Sequence, residues 1–280
     1  MLLILVTNLE STSALVLLWA GGDIHRNFLP SEFRKFLSLE SGKELHFKCN
    51  QIWPNYSEVI KNRKRCVLDL VQMEIRNDKL VQVIILGAGM DTLSLEILSQ
   101  NRDVKIFEID YSMERKKTII EKIDFTIFNS LSLISSNLKN SKDLLKSLKK
   151  SGWNPKNSTL VVLEGISYYL SQTEMEKILK IFQSKNKKNH IILEYLLTED
   201  LVSKRMGLIP KKIFDLIAND TGLSFITRYN QDKIKKMIKI LNGSIVKRFT
   251  MKEMELKRTG NNVFFKRTKS GWIEVSYISL

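Results

Sequence analysis

The chain has 280 residues, 43% hydrophobic and 27% charged, a composition that suits a globular protein with a sizeable core and excludes a disordered or fibrous one. Its formal net charge is +15, but the lysines are spread over helical stretches such as "KDLLKSLKKS" and "KIKKMIKI", and no arginine-rich, aromatic-interleaved patch marks a nucleic-acid groove. Two cysteines (Cys49, Cys66) and three histidines (His25, His46, His190) stand far apart, which argues against a disulfide framework or a metal site and fits a reducing cytoplasm.

The opening run "MLLILVTNLESTSALVLLWAGG" lacks a positive leader, and Asn8, Glu10 and several Ser and Thr interrupt it. It is expected to be a buried first helix, capped near Ser11 or Thr12, and not a membrane span. Residues 11 to about 80 read as helical; in "NYSEVIKNRKRCVLDLVQMEIR", Val59, Cys66, Val67, Leu70 and Met73 share one face. The period then changes. "VQVIIL" (81–86) is a continuous apolar run stopping at Gly87, as a central parallel strand does. A short helix from Asp91, the strand "VKIFEI", the helix "SMERKKTIIEKI" and a weaker strand near "TIFNSLSLI" follow. Helix 139–151, strand "TLVVLE", helix 172–184 and strand "HIILEYLL" continue the alternation. Strand and helix in turn predict an α/β fold with a doubly wound, Rossmann-like, mostly parallel sheet. After Leu197 a helical, partly apolar insertion or lid breaks the pattern. "GSIVKRFTM" and "GWIEVSYISL", separated by the turn "RTGNN", are read as two strands joined without a helix, an antiparallel terminal hairpin. The expected organisation is one domain over 1–280. It comprises an N-terminal helical cap (1–80), a ligand-binding core (81–196), a helical insertion or lid (197–241) and terminal strands (242–280).

Three constellations carry chemistry. In "ILGAGMDT" a strand feeds Gly87, Ala88 and Gly89, letting the backbone turn tightly and approach a ligand. The third glycine of the dinucleotide fingerprint is missing, and Asp91 stands where a phosphate would lie, so a nicotinamide-dependent dehydrogenase is disfavoured. In "FEID", Glu108 and Asp110 stand at the end of the next strand, placed to accept hydrogen bonds from a ribose diol. In "LVVLEGISYYL", a buried strand ends on Glu164 and Gly165 beside the same crevice. An ionised acid there needs a partner, such as the cationic end of a ligand.

In order and spacing, "LGAGMDT", "FEID" and "LEGISYYL" resemble the leucine carboxyl methyltransferase family of class I S-adenosylmethionine (SAM)-dependent O-methyltransferases, which includes polyketide carboxyl methyltransferases, over roughly residues 50–200. The resemblance implies SAM as cofactor, S-adenosylhomocysteine as product and no metal. It implies that Arg63, in "KNRKRCVLD", pairs with the cofactor carboxylate and that Gly87, Ala88, Gly89 and Gly165 line the cofactor. Asp110, beside Glu108, takes the ribose hydroxyls, and Glu164 contacts the amino end. Tyr169 matches the family tyrosine, and with Tyr168 it is expected to position the acceptor. Asn137 in "SNL" replaces the family aspartate that holds the adenine amino group, and its amide oxygen keeps an acceptor there. Arg65, two residues after Arg63, points to another helix face.

Methyl transfer from a sulfonium needs in-line alignment and exclusion of water. A carboxylate acceptor needs no general base, whereas a hydroxyl does. With no histidine beside the motifs, unless His25 or His46 folds over the site, the reading favours a small-molecule or carrier-bound carboxylate, with the basic surface suited to an acidic carrier protein. A protein C-terminal carboxylate and a non-catalytic SAM-binding role are the alternatives. Base methylation is disfavoured because "EGISYY" lacks the paired prolines of amino-methylating loops.

Overall fold

The computed structural model describes residues 7–78, 81–183, 188–222 and 225–280. The first six residues of the opening apolar run, residue 184 of the expected helix 172–184, and residues 223–224 of the expected insertion lie outside these. The N-terminal region holds β1 (Thr7–Asn8) and β2 (Leu37–Ser38), paired in parallel, and α1 (Ser11–Ala20), α2 (Phe28–Arg34), α3 (Lys43–Ile52) and α4 (Tyr56–Asn77). The expected long helical stretch is therefore four helices. Glu10, not Ser11 or Thr12, occupies the cap position of α1, and the Ser11 hydroxyl donates to Asp220 instead.

The core alternates β3 (Gln82–Leu86), α5 (Leu93–Gln100), β4 (Lys105–Asp110), α6 (Glu114–Ile123), β5 (Leu131–Ser135), α7 (Ser141–Lys150), β6 (Thr159–Leu163), α8 (Gln172–Lys180) and β7 (His190–Leu196). Then come α9 (Lys204–Thr221), α10 (Gln231–Ile240), β8 (Ser244–Thr250), α11 (Met251–Thr259) and β9 (Ile273–Ser279). Seven strands form one sheet in the order β5-β4-β3-β6-β7-β9-β8, parallel throughout except at β9, which runs antiparallel to both neighbours. All five residues of β3 and of β6 are buried, as strands covered on both faces must be. The chain leaves β3 first towards β4 and β5, then returns to lay β6 on its other side. Their carboxyl ends therefore open the crevice where ligands bind in such sheets.

The last two strands are antiparallel neighbours, but they are not a hairpin. Helix α11 lies between them, started by a reciprocal cap in which Thr250 accepts from the Glu253 N–H and Glu253 accepts from that of Thr250. It ends at Gly260, whose φ of 78° closes the helix in the left-handed region. This helix positions the site, because it packs along α4 and its Arg258 Nε donates to the buried Asn62 Oδ1 at 2.6 Å while the guanidinium also pairs with Glu58. Arg258→Ala leaves that buried amide oxygen without its donor, and a loss of about 1–3 kcal/mol is expected in the guanidinium unfolding free energy.

Candidate active site

The crevice encloses a cavity of about 210 Å³, walled by the ends of β3, β4 and β6, by α4 and by α1. The wall begins where β3 stops. Gly87 has φ +69°, and a Cβ on it would lie 2.8 Å from Ile166, so only glycine turns the chain here. Gly87 and Ala88 both donate to the Ile109 carbonyl at the end of β4. Gly89 then donates to Asp110 Oδ2 at 2.8 Å, and the Tyr111 N–H holds the other carboxylate oxygen. A Cβ on Gly89 would meet only that carboxylate, at 3.8 Å, so this stretch of backbone forms an open cradle. Asp91 closes the loop by accepting from the Leu93 N–H, and its carboxylate pairs with Lys64.

Glu164 leaves the buried β6 and is almost covered. Its charge is met from within the protein: Arg63 Nε approaches to 3.4 Å and Lys64 Nζ to 3.3 Å, both from the face of α4 that points into the crevice. Arg63 Nη1 also reaches Glu194 Oε1 at 3.3 Å and the Tyr168 hydroxyl at 3.4 Å. Glu194 sits inside β7, wholly buried, and its other oxygen accepts the Gly165 N–H. Burial pushes the Glu164 carboxyl up despite its cations, whereas Lys64, with His25 and Lys116, holds Asp91 below the usual carboxylate range against the same desolvation.

Arg63, Gly87, Ala88, Gly89, Asp110, Glu164, Gly165, Tyr168 and Tyr169, all expected from sequence, line this one cavity. Glu108 and Asn137 do not. Glu108 shares the strand face of Asp110 but lies one repeat deeper, where Lys116 of α6 pairs with it at 2.6 Å and burial raises its carboxyl. Asn137 is exposed beyond the edge strand β5, and its Oδ1 caps its own turn by accepting the Lys139 N–H. The structure adds Lys64, Asp91 and, behind the wall, Glu194. Their signals were a lysine next to Arg63, an acid in the glycine loop, and an acid in the middle of the apolar run "HIILEYLL". His25 does fold onto the motif, with Nδ1 2.9 Å from Thr92 Oγ1, but it lies behind Asp91 and does not line the cavity. Among the described residues no group of His, Cys, Asp or Glu is placed to hold a metal ion, and no helix is long and apolar enough to cross a membrane.

A seven-stranded sheet with one reversed strand, a glycine turn after its central strand and an acid ending the next strand defines a Rossmann-like methyltransferase fold. The family model for leucine carboxyl methyltransferase matches residues 22–183, and the chain belongs to that family. No curated protein matches the sequence. A DUF574 family protein from Streptomyces avermitilis shares the fold at 8% identity, with a TM-score of 0.67 over 85% of this chain and 90% of that one. A candidate methyltransferase from Thermobifida fusca does so at 12% identity, with a TM-score of 0.64 over 92% of this chain and 96% of that one.

Two outcomes test this geometry. Gly87→Ala adds a clash with Ile166 to an unfavourable φ, and should cost roughly 2–4 kcal/mol by chemical denaturation. Burial pushes the His25 imidazole from 6.5 down to about 3, so the folded chain keeps it neutral while the unfolded chain takes up a proton below 6.5. Stability should therefore fall as pH drops from 6.5 toward 3, and His25→Asn should flatten the change in urea midpoint between about pH 7.5 and 5.5.

Proposed function

We propose that the protein is a SAM-dependent O-methyltransferase whose acceptor is the carboxylate of a small molecule or of a carrier-bound acyl group. The observation that carries this reading is that no imidazole lines the cavity among the described residues, and that its two tyrosines hold their protons tightly. Burial pushes the Tyr169 hydroxyl up to about 12 and raises Tyr168 as well, and among the described residues no imidazole lines the wall. A carboxylate arrives already ionised and needs no proton removed.

The residues present fit the cofactor. Arg63 Nε and Glu164 Oε1 are buried, and neither has a hydrogen-bond partner, although each lies within ion-pair range of the other. They suit the carboxylate and ammonium of an amino acid. The Gly89 cradle and the Asp110 carboxylate beside it suit a ribose diol, with Gly87, Ala88 and Gly165 giving backbone room. When bound, SAM supplies a methyl group on a sulfonium, already electrophilic. The protein's own work is to orient: Arg63 and Glu164 fix one end of the cofactor and Asp110 the other. Tyr168 and Tyr169, in T-shaped contact at 4.7 Å, wall the acceptor side. Phe214 of α9 stacks edge-on against Tyr168 at 5.1 Å, which supports reading residues 197–241 as the lid over that side and residues 1–80 as its opposing cap.

The basic surface suits an acidic carrier, with neither nucleic acid nor membrane as partner, and the free, buried thiols of Cys49 and Cys66 accord with a reducing cytoplasm. Calorimetry with SAM tests the reading. Wild type should bind, and Glu164→Ala and Asp110→Ala should each weaken binding by roughly 1–3 kcal/mol. Unchanged affinity in both variants would mean that the cofactor lies elsewhere.

A further inference from the structure

The charge of the pocket runs against that of the chain. Over a protein of net charge +15, the cavity wall sets Asp91, Asp110 and Glu164 against only Arg63 and Lys64, and Glu194 lies immediately behind Arg63. The charges outside the wall do not correct the balance. Lys116 is taken by Glu108, Arg34 is attracted by Glu96 as well as Asp91, and His25 is kept neutral by burial.

We propose that this excess of acid, with the wholly buried Glu194 as its deciding member, makes the site select SAM over S-adenosylhomocysteine by charge. The proposal rests on the methyltransferase reading above. SAM carries one net positive charge at neutral pH, because sulfonium and ammonium outnumber its carboxylate; the product, with a neutral thioether, carries none. Ribose, ammonium and carboxylate are common to both, so contacts from Asp110 and Arg63 largely cancel between them. What remains is the attraction of the sulfonium to fixed charges in an enclosure where water screens little. Glu194 cannot turn away into solvent, since it is wholly buried and both its oxygens are engaged, one by Arg63 and one by the Gly165 N–H. Its carboxylate is thus held in place against the pocket wall, and the loss of the sulfonium charge on methyl transfer favours release of the product.

Glutamine at this position keeps an acceptor for the Gly165 N–H and removes the charge. Calorimetry at fixed ionic strength, with SAM and S-adenosylhomocysteine as separate titrants, reads the selection directly. Wild type should bind SAM about tenfold more tightly, and Glu194→Gln should bring the ratio of the two dissociation constants toward one, whatever happens to the individual affinities. Glu194→Asp, which restores the charge, should restore the ratio. If Glu194→Gln does not fold, Asp91→Asn removes a charge from the opposite end of the wall and should compress the ratio likewise. A wild type that binds the product as tightly as SAM, or a ratio unmoved by the charge-removing variant that folds, overturns the proposal while leaving the methyltransferase reading intact. A wild type that binds neither ligand overturns both.

Discussion

Arg63 is held between two carboxylates that come from different strands, and most of the site's geometry follows from that arrangement. Glu164 follows β6 directly, Glu194 lies within β7, and Arg63 reaches both from α4 while touching the Tyr168 hydroxyl. One guanidinium thereby fixes the helix over the sheet, the turn at Gly165 and the Tyr168 wall of the cavity. The planar, always-charged fork of arginine suits this; a lysine would offer a point charge and could not span the same partners. Lys64 extends the chain of charges to Asp91, and so to the glycine turn after β3.

Such a network is costly to bury. Each ion loses its hydration, and the mutual attraction in a low-dielectric interior recovers the loss only where the geometry is good and the remaining polar atoms are satisfied. Here Arg63 Nε and Glu164 Oε1 are not satisfied. A core built for stability alone would replace these groups with packed hydrocarbon. Their retention at the open end of the sheet, directly above the apolar runs 83–86 and 160–163, fits a surface shaped for a polar ligand.

Much of this was legible from residue types. The unbroken apolar runs ending at Gly87 and Glu164 identified the two central strands, and the acid ending "FEID" located the far end of the cavity. What escaped reading did so for identifiable reasons. Glu194 is a single acid inside a strand, and only the neighbouring strand's turn and a helix from far along the chain reveal its partners. Glu108 and Asp110 are indistinguishable in an alternating pattern; α6, through Lys116, covers one and leaves the other at the rim. Asn137 follows an edge strand, where the pattern is weak and the loop is free to turn outwards. Helix α11 is a different case. Its start at Thr250 with Glu253 three residues on, and its end at Gly260, were both present in the sequence, and the intervening "MKEMELKRT" has too few apolar residues to show a period.

The reversed strand β9 has a consequence for the order in which the molecule is built. It is the last of the described strands in sequence, yet it sits inside the sheet, between β7 and β8. On a growing chain, β8 emerges with no partner and waits for β9 to be threaded between itself and the parallel core. Contacts of such long sequence separation form slowly and only after the loops that close them. Until then β7, which carries Glu194, remains an open edge. The strand that carries Glu194 is therefore closed off only once β9, some eighty residues further along the chain, has paired with it.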